Sequence, residues 1–263
     1  MQSIFGTKVS AIEPATRRRS YTRLFLLLGA AAAMPLSVYA LNPSVPPGSN
    51  FNMTYWELQL PIGSTGNPTT ESSSALQNGY ENFSYFFTES GDGAMVFKDP
   101  GVNCVTTPNS AHCRTELREV NPSNGSAASW SPNAATNRLK ATLAVENAGG
   151  KTVIGQIHID DSISSKPVCE LYYDSSGNIS IGVEQTRSGG DEVLTSLGNV
   201  PVGTQFSYEI EYSGNLLKVA INGNFKTLST YSLDAPNSYF KAGDYGQDAE
   251  ASDVHFFALT IEH

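Results

Sequence analysis

The sequence predicts an all-β sandwich, and three observations carry that expectation. Short runs alternate apolar with polar residues along most of the chain. Turn signals separate them at short intervals, among them Gly91-Asp92-Gly93, Ser175-Ser176-Gly177-Asn178, Ser213-Gly214-Asn215 and Asn222-Gly223. Only short segments have a pattern that a helix would accept, and neither an internal repeat nor a second domain is visible.

The first 40 residues stand apart from this pattern. Arg17, Arg18, Arg19 and Arg23 precede an apolar run from Leu24 to Ala33, and Val38-Tyr39-Ala40 places small residues where a signal peptidase cuts. The run is broken at Pro35 and is short for a membrane span. Residues 1–40 are therefore expected to be a cleaved secretory signal, and residues 41–263 a single secreted, extracellular domain, expected to act as a monomer. No membrane contact is expected once the signal is removed.

The 263-residue chain carries 16 basic and 25 acidic residues. The signal takes Lys8, four arginines and Glu13 with it, so the remainder holds 11 basic against 24 acidic residues, a net charge of −13. Such a surface argues against nucleic acid as a partner. A polyanionic substrate would need the few cations concentrated in its site.

Of three cysteines, Cys104 and Cys113 flank the turn-rich stretch Thr107-Pro108-Asn109-Ser110, and a disulfide between them is expected in an oxidising compartment. That leaves Cys169 free and buried. No Cys/His spacing suits zinc, so neither metal nor cofactor is expected. Asn52, Asn82, Asn124 and Asn178 head N-x-S/T sequons and are candidate glycosylation sites.

Taken in order, Leu41 to Asn52 reads as an extended arm. Tyr55 to Leu60 alternates Trp56, Leu58 and Leu60 against Tyr55, Glu57 and Gln59, a first strand. Gly63 to Gly79 is polar and long, and reads as a loop over a site, as does the stretch 187–200. Phe83–Glu89 and Ala94–Lys98 form a hairpin. Arg114 to Val120, Arg138 to Val145 and Thr152 to Asp160 follow as strands. Glu170–Tyr173 with Ile179–Gln185, and Gln205–Tyr212 with Leu216–Ile221, make two more hairpins; Asn224–Leu228, Tyr239–Gln247 and Val254–Glu262 complete the set.

Three of these strands share an oddity. Side chains in a strand alternate between faces, and here one face of each carries ionisable or amide groups: Arg114, Glu116 and Arg118; Gln156 and His158; Lys241, Tyr245 and Gln247, with Gly243 leaving space between them. Each alone suits a solvated sheet face or a structural ion-pair ladder. Together, Arg-Thr-Glu-Leu-Arg at 114–118, Gln-Ile-His at 156–158 and Tyr-Phe-Lys-Ala-Gly-Asp-Tyr-Gly-Gln at 239–247 resemble, in order, the three signature motifs of the alginate lyases of polysaccharide lyase family 7. The resemblance spans most of the chain after the signal.

The resemblance implies a β-jelly roll of two curved antiparallel sheets, with an anionic polysaccharide, alginate, lying in the concave groove. It also implies β-elimination: the C5 proton is abstracted, the 4-O-glycosidic bond breaks and a 4,5-unsaturated uronate end results. A carboxylate next to C5 resists further negative charge, so the reaction needs a neutralising group, a base and an acid. The resemblance assigns Arg114 and Gln156 to the carboxylate, His158 to sharing that neutralisation or acting as base, and Tyr245 to the acid, or to both acid and base where C5–H and the leaving oxygen lie on one side. A free tyrosine titrates at about 10, so a basic role asks for neighbouring cations. Glu116 is expected to orient the two arginines, and Glu116, Arg118, Lys241 and Gln247 to contribute to substrate binding. Ile157 is the residue type that the family loosely associates with guluronate-containing blocks. Two alternatives remain at this point: a lyase for another polyuronate such as glucuronan, and a non-catalytic carbohydrate-binding module on the same sandwich.

Overall fold

The computed structural model describes Gly6 and residues 40–108 and 110–263; the expected signal, Gly6 and Ala40 apart, lies outside the described residues. Along the chain run α1 (Pro47–Asn50), β1 (Trp56–Ser64), β2 (Asn67–Glu71), α2 (Ser73–Gln77), β3 (Phe86–Thr88), β4 (Met95–Asp99) and β5 (Arg114–Glu119). Then come β6 (Arg138–Asn147), β7 (Lys151–Ile159), β8 (Pro167–Asp174), β9 (Asn178–Val183) and β10 (Val193–Asn199). The chain ends with β11 (Phe206–Ser213), β12 (Leu216–Ile221), β13 (Asn224–Leu228), β14 (Ser238–Gly246) and β15 (Ser252–Glu262).

The strands form two antiparallel sheets, as the alternation predicts. One has the order β10-β9-β8-β7-β14-β5-β1-β2 and the other β13-β12-β11-β6-β15-β4-β3. The three motif strands are neighbours at the centre of the first sheet, although 37 to 124 residues separate their starts in sequence. The turns that the sequence marks take the required backbone. Gly214 and Asn215 have φ of 55° and 58°, and Asn222 and Gly223 have 50° and 78°, the positive pair that a two-residue hairpin needs.

The core lies between the sheets. Leu58, Leu117, Ile157 and Phe240 from the first sheet meet Leu143, Ile210, Val219 and Phe256 from the second, all fully buried. Each such side chain contributes about 1.5–3 kcal/mol. Tyr208 on β11 spans the gap and donates to the carbonyl of Ile154 at 3.0 Å. Gly155 makes this possible, because a Cβ there would lie 2.5 Å from the Tyr208 hydroxyl. The tyrosine thus anchors β7 from behind, two residues before Gln156.

Two stretches expected as loops contain edge strands. Residues 63–79 hold the end of β1, β2 and α2, whose N-cap Ser72 accepts from the Ala75 N–H at 3.2 Å. In the second stretch residues 193–199 are β10, while 187–192 remain a loop as expected. β2 and β10 close opposite edges of the same sheet. Their polar composition reads as loop because an edge strand needs no apolar face to hold its place. The expected extended arm also differs, since residues 47–50 form the single turn α1.

Candidate active site

The outer face of the eight-stranded sheet carries a groove of about 550 Å³. Arg114 and Arg118 enter it from β5, Gln156 and His158 from β7, and Tyr239, Lys241 and Tyr245 from β14. Register explains the convergence. Lys241 lies opposite Arg118 on one side and Gln156 on the other, and Tyr245 lies opposite Arg114.

Glu116 sits beneath this floor at 1% exposure. Its Oε1 accepts from Gln156 Nε2 at 2.5 Å. Its Oε2 accepts from Arg114 Nη1 at 3.2 Å and pairs closely with Lys241 Nζ. Burial opposes its ionisation, but Lys241 and Arg114 together hold the carboxyl below its usual range. Burial works the other way on Lys241 and brings its ammonium down to about 8, against the pull of Glu116. Glu116 is therefore a buried counter-ion rather than a substrate ligand, and its partners are Arg114 and Lys241 instead of the two arginines. Gly243 is its cross-strand neighbour and has no side chain to cover it; the lysine and the amide do so.

Arg118 turns to other partners. Its Nη1 lies 2.8 Å from Asp161 Oδ2, its Nε lies 3.8 Å from Glu57, and its guanidinium covers the Tyr239 ring at 4.2 Å. The Tyr239 hydroxyl donates to Asp161 Oδ1 at 2.9 Å. Tyr239 also stacks on His158, with centroids 5.1 Å apart.

His158 is held in one tautomer. Its Nδ1 lies 2.8 Å from the carbonyl of Ile159. A carbonyl only accepts, so Nδ1 carries the hydrogen and Nε2 the lone pair. Burial, with Lys241 adding like charge, brings the imidazole down to about 4. It is uncharged at neutral pH, with the Nε2 lone pair free of the Ile159 contact.

Arg114 lies over the Tyr245 ring, with its guanidinium carbon 3.6 Å from the centroid. Ser110 on the preceding loop completes the corner, 3.3 Å from the Tyr245 hydroxyl and 3.0 Å from Arg114 Nη2. The Arg114 guanidinium, the Tyr245 phenol and the uncharged His158 imidazole thus share a groove floor in which Gln156 supplies an amide.

With this geometry in place, comparison with known proteins is direct. A family model described as alginate lyase matches residues 51–263. The chain belongs to the alginate lyase family. A curated alginate lyase of Klebsiella pneumoniae is 29% identical over 264 residues, covering 77% of this chain and 84% of that protein. The solved family 7 alginate lyase A1-II' in complex with substrate is 30% identical with a TM-score of 0.75, covering 84% of this chain and 97% of that one. That complex was obtained with a variant in which one histidine is asparagine and one tyrosine is phenylalanine. An alginate lyase from Pseudomonas aeruginosa is 32% identical with a TM-score of 0.71, covering 80% and 99%. The protein is a polysaccharide lyase that cleaves alginate.

Not every expected ligand of this alginate lyase reaches the groove. Gln247 lies past the end of β14, where its Nε2 donates to the carbonyls of Tyr245 and Gly246, and it lines a separate hollow beside the disulfide loop. A bulge against β7 between Ala242 and Tyr245 turns the strand end away. Gly243 serves this same bend. Its φ is 152°, and a Cβ there would meet the Thr115 carbonyl at 2.6 Å and the Phe97 ring at 3.2 Å. It makes room for its own sheet and not for a sugar.

Other residues that line the groove of the lyase lie outside the three motifs. Gln59 lies opposite Glu116 across β1 and β5, and its buried Nε2 has no hydrogen-bond partner. The polar alternation of Glu57 and Gln59 was the available signal. Ser110, Asp161 and Lys166 lie on loops, where no periodicity marks them. Beyond β7 the groove turns acidic, with Glu170, Glu184 and Glu192. The Tyr172 hydroxyl lies 2.6 Å from Glu170 and 2.7 Å from Glu192. One phenolic hydrogen cannot serve both, so one carboxyl brings its own. Burial, then Glu170, pushes Glu192 up to about 7.

Cys104 and Cys113 form a disulfide, and Cys169 is free and buried. Burial raises the Cys169 thiol to about 12, which keeps it inert. Asn52, Asn124 and Asn178 are exposed and Asn82 is half-buried. Among the described residues, no helix is long and apolar enough to cross a membrane.

Proposed function

We propose that Arg114, Gln156, His158 and Tyr245 carry out the β-elimination in this alginate lyase. The reading rests on one observation: these four side chains, from three adjacent strands, open onto a single groove. Arg114 retains three guanidinium hydrogens beyond those given to Glu116 and Ser110. With the second amide hydrogen of Gln156, they bind the uronate carboxylate and withdraw charge from C5, which makes the C5 proton removable.

His158 Nε2 takes that proton when C5–H faces away from the leaving oxygen, as in guluronate. Tyr245 gives its proton to the glycosidic oxygen as the C4–O bond breaks. When both lie on one side, as in mannuronate, Tyr245 takes the first proton and returns one to the leaving oxygen. The His-to-Asn and Tyr-to-Phe changes in the A1-II' substrate complex are of the residue types assigned here. Arg118 and Lys241 hold neighbouring uronates by charge. The protein acts as a secreted monomer after removal of residues 1–40, and the Cys104–Cys113 pair suits an oxidising compartment.

The test is ultraviolet absorbance of the unsaturated product from poly-mannuronate, poly-guluronate and glucuronan. Tyr245→Phe should lose turnover on alginate and keep its melting temperature, since one hydroxyl is removed. Near-normal turnover by that variant would sink the assignment.

A further inference from the structure

We infer that Ser110 is a positioning residue that stabilises the Tyr245 oxygen after its proton has left, by swinging its hydroxyl hydrogen onto that oxygen. The inference builds on the proposed role of Tyr245 and concerns a residue to which that scheme gives no part.

The argument is a count of donors and acceptors. A serine hydroxyl has one hydrogen and two lone pairs. Ser110 Oγ accepts from Arg114 Nη2 at 3.0 Å and from the His112 N–H at 3.3 Å, which occupies both lone pairs. Its hydrogen then has two acceptors within reach, the His112 carbonyl at 3.3 Å and the Tyr245 hydroxyl oxygen at 3.3 Å. Tyr245 cannot be the donor in this pair, because Ser110 has no free lone pair to receive it. The contact therefore forms with Ser110 donating.

That direction matters for the reaction. While Tyr245 is a phenol, its oxygen is a weak acceptor and the His112 carbonyl is the better partner. When Tyr245 passes its proton to the glycosidic oxygen, the electron pair stays on the phenolic oxygen, and a charged acceptor outcompetes a neutral one. The Ser110 hydrogen turns to it, and no proton is transferred in that movement. Arg114, which donates to Ser110 Oγ and lies over the Tyr245 ring, keeps the two side chains together.

The loop is tied down for this purpose. It is closed by Cys104–Cys113, and Cys113 directly precedes Arg114 at the start of β5. The Val105 N–H donates to the Pro61 carbonyl at 2.8 Å, which fastens the loop to β1.

Steady-state kinetics on alginate test this with Ser110→Ala, Ser110→Thr and Tyr245→Phe, each checked by thermal melting. A hydrogen bond to a charged partner is worth about 1.5–3 kcal/mol. Ser110→Ala should therefore lower kcat about tenfold to a hundredfold and leave KM within about twofold, and Ser110→Thr should restore most of the loss. Wild-type kcat in Ser110→Ala, a loss confined to KM, or no recovery in Ser110→Thr each overturns it. If Tyr245→Phe is inactive while Ser110→Ala is normal, only this inference fails. If Tyr245→Phe keeps turnover, the scheme beneath it fails.

Discussion

Gln156 Nε2 donates to Glu116 Oε1 at 2.5 Å, reaching past the whole of β14 to do so. The bond orients the amide: a carboxylate only accepts, so the NH₂ side of Gln156 must face Glu116. Arg114 and Lys241 close the other carboxylate oxygen. One buried anion therefore organises the cation and amide that meet the substrate. Glu116→Gln should leave two buried cations without a counter-ion and cost about 3–5 kcal/mol. Chemical denaturation should show that loss, and alginate cleavage should fall with it. Adding Lys241→Met should recover part of the stability, which a loss from packing alone would not allow.

His158 links the site to acid pH. Its folded-state value of about 4 lies below the ordinary 6.5. The folded state therefore binds fewer protons than the unfolded chain between those values, so stability rises with pH through that window and is lost as pH falls through it. Melting temperatures from pH 7 down to pH 4 should drop more steeply in the wild type than in His158→Gln. kcat/KM on poly-guluronate should also fall towards pH 4, as the base becomes protonated.

Asp244 has the opposite sign. It is fully buried, and its Oδ1 accepts from Thr152 and Ser252, each at 2.6 Å. Burial raises it to about 8 from the ordinary 3.8. Here the folded state holds the extra proton between those values, so stability falls as pH rises towards 8. Asp244→Asn should flatten the profile and raise the melting temperature at pH 8 relative to pH 5. An unchanged slope would show that the carboxyl is not the titrating group.

The acidic end of the groove should govern how affinity changes with pH. Glu192, at about 7, gains its charge near neutrality beside Glu170 and Glu184, in a groove that Lys166 also lines. Added negative charge repels a polyuronate. KM for alginate should rise between pH 6 and pH 8 in the wild type and stay flat in Glu192→Gln, with kcat similar in both. Measurement at 0.5 M salt should shrink the difference by screening.

Gly155 carries a packing prediction. A Cβ there collides with the Tyr208 hydroxyl, so Gly155→Ala should cost about 1–3 kcal/mol by overpacking. Gly155→Ala with Tyr208→Phe should recover part of it, as the hydroxyl is what lies closest.

Much of the site was legible because strand periodicity is local. The alternation of Arg114, Glu116 and Arg118, and of Gln156 and His158, survives folding, and the three strands do meet. Periodicity failed where the backbone leaves its regular repeat. The bulge at Ala242–Tyr245 removed Gln247 from the groove and gave Gly243 a different task. It also failed for loops, where Ser110 and Asp161 sit with no pattern to mark them.

By itself, the sequence determined the all-β class, the hairpin turns, the strands that present polar faces and the residue types available for the chemistry. These follow from side-chain alternation and from the few residues that accept positive φ. Only the tertiary structure decided how those residues pair. Glu116 chose Lys241 over Arg118 because β14 lies between β5 and β7. His158 lost its charge because the fold buries it beside a lysine, and its tautomer was set by the Ile159 carbonyl. Parts of the expected lids became edge strands because backbone pairing, and not composition, defines a sheet's rim. Ionic partners and protonation depend on distance in space, and spacing along a chain does not encode that distance.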